Sequence, residues 1–187
     1  ALYCGLGTHF LGNVQRADLL DGLTAQAWSG DAATNHELVG SLLAGMTASI
    51  EPPDAQIEPH IDTINEWMAG DDLTIIHDRV RNWQGEDKWL VKAQDGFAHG
   101  SPLAATWIFR QLNQTREASL EAVFESELVL GCNIMRHPEF AEGVRALLVD
   151  KDRTPAWAYP DLASVPAEVV DTFFTAPVNM PALGLPE

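Results

Sequence analysis

The chain has 187 residues, 46% of them hydrophobic, and a formal net charge of −16. That much apolar surface can bury a core, which excludes a disordered chain. The acidic balance opposes nucleic acid and anionic lipid, and no apolar run approaches the ~20 residues of a membrane span, so neither nucleic acid nor membrane is expected as a partner.

Residues 1–7 read as a helix that stops at glycine and turns into an apolar segment. That is the texture of a chain interior, so the sequence is expected to begin inside a longer protein. Residues 8–11 are the single strand candidate. Residues 16–27 and 35–46 read as helices. The run Glu51-Pro52-Pro53-Asp54 breaks the chain. Pro59 opens a further helix, with Ile61, Ile64, Trp67 and Met68 inward, that closes near Gly70. Over 72–84, Leu73, Ile76, Val80 and Trp83 fall on one helical face. Over 85–99, Trp89, Leu90, Ala93 and Phe97 repeat the spacing. Ser101-Pro102 and His137-Pro138 each place a polar cap before a proline suited to a first turn. They start helices over 101–114 (Leu103, Trp107, Ile108, Leu112) and 137–149 (Phe140, Val144, Leu147, Leu148). Between them, Leu120, Val123, Phe124, Leu128 and Met135 mark a helix over 119–135. The last stripe, Val169, Val170 and Phe173, lies within 164–174, and the proline-rich tail 176–187 is expected to be loose. The fold class is therefore mostly α, with at most one short strand near the start.

Chemistry-bearing constellations are sparse. His60-Ile61-Asp62 has the form of a two-ligand iron motif, but residues two apart on a helix face different directions. His77-Asp78 and His36-Glu37 are adjacent pairs and fail for the same reason. Glu121 and Glu125 share a face, where a solvated surface is the simpler reading. Cys4 and Cys132 have no metal spacing and read as buried thiols. No His-Glu-x-x-His, phosphate-binding glycine loop or Gly-x-Ser-x-Gly elbow is present. No catalytic residue and no metal ligand is assigned. Charge is uneven: residues 1–77 carry one base, Arg16, against eleven acids, whereas 78–187 carry ten bases against sixteen acids. An anionic ligand should be held by the second part.

The segment from His137 to Trp157 is more specific. Phe140, Glu142-Gly143-Val144-Arg145-Ala146, an apolar run, Asp150-Lys151-Asp152-Arg153 and Pro155-Ala156-Trp157 together resemble the C-terminal signature of the enoyl-CoA hydratase/isomerase (crotonase) superfamily. The form here is most similar to its 3-hydroxyisobutyryl-CoA hydrolase branch. Ser101-Pro102-Leu103 with Thr106 and Arg110-Gln111-Leu112, Ser119-Leu120-Glu121 with Glu127-Leu128, and Gly5-Leu6-Gly7-Thr8-His9-Phe10 agree with it. The match is weakest over 30–100.

The resemblance implies that 1–30 is the end of a crotonase-like core with its connection, 31–100 a helical insertion or cover, and 101–175 the family's C-terminal helices. It also implies that the β/α core, with the oxyanion hole and catalytic acids, lies outside this chain. The whole enzyme would then hydrolyse 3-hydroxyisobutyryl-CoA or a similar short 3-hydroxyacyl-CoA. A 2-enoyl-CoA hydratase/isomerase and a stand-alone helical assembly domain are the alternatives. Coenzyme A enters only as part of the substrate, and the chain alone is expected to be inactive. The implied location is cytoplasmic in a bacterial-type cell or the mitochondrial matrix in a eukaryote. Lys151 and Arg153 match the basic turn that in related enzymes lies near the nucleotide end of CoA; the competing reading is that Asp150 and Asp152 neutralise both. The expected macromolecular partner is the N-terminal core or a second copy, because Trp107, Ile108 and Phe109 are consecutive and one helix face cannot hide all three.

Overall fold

The computed structural model describes residues 1–48, 50–178 and 180. It is 62% helical, with no strand among the described residues. Two compact units divide between Glu66 and Trp67.

In the first unit, α1 spans Arg16–Thr24 and α2 spans Ala32–Thr47. Helix α2 begins three residues before the apolar spacing suggests, because Asp31 caps it: its carboxylate accepts the Thr34 N–H at 2.8 Å and the Thr34 hydroxyl at 2.6 Å. Those bonds hold the Asp31 carboxyl below its ordinary range. The two helices approach closely at Gly22, where a Cβ would come within 2.8 Å of Leu42 Cδ1. Gln15 ties the entry of α1 to the end of α2, receiving the Gly12 N–H and donating to the Met46 carbonyl at 2.9 Å. Residues 8–11 form no ladder. A strand needs a neighbour for its N–H and C=O groups, and none pairs with these residues among those described. Cys4, expected to be buried, is exposed, and no residue of α1 or α2 is fully buried. Little apolar area is hidden here, which places the unit toward the easily opened end of the molecule.

Helix α3, Ile61–Trp67, belongs to the first unit except for its last residue, Trp67, the first of the second unit. That unit holds α4 (Leu73–Asn82), α5 (Lys88–His99), α6 (Pro102–Thr115), α7 (Leu120–Ile134), α8 (Pro138–Val144) and α9 (Ala167–Phe173). Its first cluster joins Trp67, Val80 and Leu90, with Trp83 meeting Trp67 edge to face at 5.4 Å. Asp72 and Asp87 cap α4 and α5 by accepting two backbone N–H groups each. This is why α5 starts at Lys88 rather than at Gly85. Ala93, expected inward, is exposed. Its neighbour Gln94 turns in instead and donates to the carbonyls of Val80, Arg81 and Trp83 at 2.7, 3.1 and 3.0 Å, so it closes the end of α4.

The second cluster joins Leu103, Leu130, Val170 and Phe173, with Trp107 stacked on Phe173. Here α9 lies against α6 and α7. Arg110 of α6 binds Asp171 at 2.5 Å and sits 4.3 Å over the Phe174 ring. Asn133 of α7 donates to the carbonyls of Phe173 and Thr175, satisfying the end of α9. Trp107 and Phe109 are half-buried, whereas Ile108 remains 44% exposed. Leu112, Leu120 and Phe124 are exposed as well. In the proline-rich tail, Asn179 and residues 181–187 lie outside the described residues.

Candidate functional site

The site is built from the stretch after His137. The His137 ring caps α8 by accepting the Glu139 N–H, and Pro138 supplies the first turn. After Val144 the helix widens into a π-helix over Arg145–Val149, where the Asp150 N–H reaches the Arg145 carbonyl at 2.8 Å. Such turns are frequent at functional sites. Ala146 is buried at this turn, and its carbonyl accepts the Arg153 N–H at 3.0 Å.

Four acids and one arginine hold the loop that leaves this helix. Glu139 accepts the Ser101 hydroxyl and the Ala158 N–H. Glu142 grips Arg145 through both oxygens, at 2.9 and 2.7 Å, and accepts the Ala156 N–H at 2.7 Å. Arg145 also donates to Asp150 and Asp152, each at 2.6 Å, and to the Thr154 carbonyl. Trp157 closes the loop: its indole N–H donates to the His99 carbonyl, and its ring lies so near Gly143 that a Cβ there would sit 3.3 Å away. The Glu-Gly and Pro-x-Trp elements of the signature are thus two halves of one contact.

Charge follows geometry. The Arg145 fork, then the Ala156 N–H, holds the Glu142 carboxyl down at about 2, against 4.5 ordinarily. Arg145 also lowers Asp152, with help from the Thr154 N–H, and its own acidity is suppressed by Glu142, Asp152 and Asp150. A carboxyl depressed on folding stabilises the fold fully above its unfolded value and loses that contribution as pH falls through the folded one. The 150–156 turn should therefore be intact above pH 4.5 and loosen as pH approaches about 2. Amide exchange at Arg153 and Ala156, followed down that range, checks this. Protection that stays constant to pH 2 would contradict it.

Lys151 and Arg153 occupy this turn with φ of 56° and 57°. For residues with a Cβ that region costs about 1–2 kcal/mol each, and such strain concentrates at ligand-binding positions. Both side chains are exposed, and no ion pair engages either one among the described residues. The flanking acids turn to Arg145 instead of neutralising them. Arg153 also borders a largely apolar cavity of about 610 Å³, walled by Leu103, Trp107, Phe140, Leu147 and Trp157. Elsewhere, Glu121, Glu125 and Cys132 contribute to no such arrangement: both carboxylates are exposed and the thiol is half-buried.

The family model for enoyl-CoA hydratase/isomerase matches residues 1–174. The chain belongs to this family. Among curated relatives, the mitochondrial 3-hydroxyisobutyryl-CoA hydrolase of Gallus gallus is 28% identical over 92% of this chain and 44% of its own length. The small ribosomal subunit protein mS47 of Arabidopsis thaliana is 26% identical over 92% of this chain and 42% of its own length. The chain thus spans less than half the length of these relatives. A crystal structure of a carnitinyl-CoA dehydratase from Mycobacterium thermoresistibile superposes with a TM-score of 0.72 at 24% identity, covering 96% of this chain and 47% of that one. At that identity the likeness establishes the fold: a helical region of a crotonase-type protein. Sequence reasoning singled out Lys151 and Arg153 but not Arg145, which holds the turn they stand in. The signal was a single base with Glu142 three residues before it and Asp150 and Asp152 five and seven after.

Proposed function

We propose that this chain is the helical C-terminal region of an acyl-CoA thioester hydrolase acting on 3-hydroxyisobutyryl-CoA or a similar short 3-hydroxyacyl-CoA. The observation that carries this reading is the pair Lys151 and Arg153, both conformationally strained and without an ion-pair partner among the described residues, with Arg153 bordering an apolar cavity. The alignment of 92% of the chain with a 3-hydroxyisobutyryl-CoA hydrolase supports the choice of substrate. In this reading the two cations take phosphate groups of CoA, for which guanidinium and ammonium are well suited. The cavity shields the apolar part of the substrate from water. The oxyanion hole and the catalytic carboxylates belong to sequence beyond this chain, and CoA is the only ligand group required. The mitochondrial hydrolase relatives support a matrix location in a eukaryotic setting.

Thiol release from 3-hydroxyisobutyryl-CoA, measured on the natural gene product that contains this sequence, tests the assignment. Hydrolysis is expected there, with none above background from the 187-residue chain. Hydration of a 2-enoyl-CoA without thiol release would favour the hydratase/isomerase alternative.

The proposed macromolecular partner is the N-terminal core or a second copy, seated on exposed apolar side chains of α6 and α7 such as Ile108, Leu112, Leu120 and Phe124. Soluble monomers seldom leave such patches uncovered. Sedimentation of the chain alone should show self-association that diminishes when Leu112 and Leu120 are both replaced by serine. A monomer at all concentrations would remove the second copy as an occupant. The match to a ribosomal subunit protein over a similar span favours, as a second reading, a role in assembly. In that case the natural gene product would turn over no acyl-CoA.

A further inference from the structure

Asp150 and Asp152 flank Lys151 on both sides, and Asp152 also precedes Arg153. Carboxylates this close to the two cations would offset their charge if they turned toward them, and the turn would then present little net attraction to an anion. The structure does otherwise. The Nη1 of Arg145 takes one oxygen from each aspartate at 2.6 Å, while its Nε and Nη2 hold both oxygens of Glu142 at 2.9 and 2.7 Å. Nη2 further donates to the Thr154 carbonyl, and the second oxygen of Asp152 accepts the Thr154 N–H at 2.9 Å. Asp150, Asp152 and Glu142 are thereby committed to Arg145 or to backbone. The left-handed backbone at Lys151 and Arg153 interrupts the run of side-chain directions on either side of Asp152.

From this we infer that Arg145 is a positioning residue for phosphate binding: by sequestering Asp150 and Asp152 it leaves Lys151 and Arg153 free for a diphosphate-bearing ligand. Arg145 itself, ringed by three carboxylates, does not touch the ligand. The inference rests on the anion-binding role given to Lys151 and Arg153 above and deepens it. It does not depend on which reaction the whole enzyme performs.

The test is a binding cycle on the 187-residue chain by titration calorimetry, with CoA and inorganic pyrophosphate as separate probes. Removing the guanidinium in R145Q releases two carboxylates onto the two cations, and affinity for both probes should fall about tenfold. Neutralising those carboxylates in the same background, R145Q/D150N/D152N, should restore most of it. A merely structural arginine would give the loss without the rescue. Circular dichroism establishes that each variant is folded. If R145Q is not, R145K carries the same test, because an ammonium lacks the fork that spans all three acids. Rescue by the double asparagine change supports the inference. A folded Arg145 variant that binds as wild type, or a loss that the asparagines do not repair, overturns it while leaving the cation pair standing. A wild-type chain that binds neither probe overturns both. Binding of CoA without pyrophosphate would overturn the phosphate assignment. Absence of thioester hydrolysis in the natural gene product would affect only the proposed reaction.

Discussion

Replacing Leu103 by alanine is expected to lower the stability of the second unit by about 2–5 kcal/mol. Leu103 is 1% exposed and sits where α6, α7 and α9 meet, against Leu130, Val170 and Phe173. Truncation removes buried methyl groups and leaves a cavity that this junction cannot close: Trp107 is stacked on Phe173, and Arg110 ties α6 to Asp171. Domains are stable by only about 5–15 kcal/mol, so the loss is a large fraction of the total. Gln114→Ala is the control. It lies on the same helix but is exposed and outside the apolar surface assigned to a partner, and should change stability by no more than about 0.5 kcal/mol. Urea denaturation of both variants reads the difference directly. Equal effects would mean that α6 does not pack as described.

The second large effect concerns binding. The double change Lys151→Gly with Arg153→Gly should reduce affinity for CoA about 100-fold, the order expected when two charge-assisted contacts are lost. Glycine is the informative substitution because both positions have positive φ. It removes each cation while easing the backbone, so the turn should be as stable as before or slightly more so. Binding and folding are thereby separated in one variant. Lys92→Gln, an exposed charge on α5, should leave affinity unchanged. The wild-type affinity should also weaken as salt is raised, because exposed charges are screened. A glycine variant that binds CoA normally would remove Lys151 and Arg153 from the site.

Much of this molecule was legible in its sequence because helices announce themselves locally. The spacing of Ile76 with Val80, or of Val170 with Phe173, reports a buried face without reference to the rest of the chain, and the Ser-Pro and His-Pro starts do the same for α6 and α8. The family was also legible, since the residues of its signature lie within one continuous stretch. Local pattern failed where a side chain answered to a partner elsewhere. Gln94 took the inward place expected of Ala93 because its side-chain amide reaches the Val80, Arg81 and Trp83 carbonyls at the end of α4. Residues 8–11, though strand-like in composition, formed no strand because a strand is a property of two segments. The state of the basic turn likewise depended on tertiary structure. Sequence placed Asp150 and Asp152 beside Lys151 and Arg153 and left open whether they neutralise them. The π-helix over Arg145–Val149 and the grip of Glu142 carried the Arg145 guanidinium to those acids instead. Which charges cancel is decided by distance in space, and only the folded chain sets that distance.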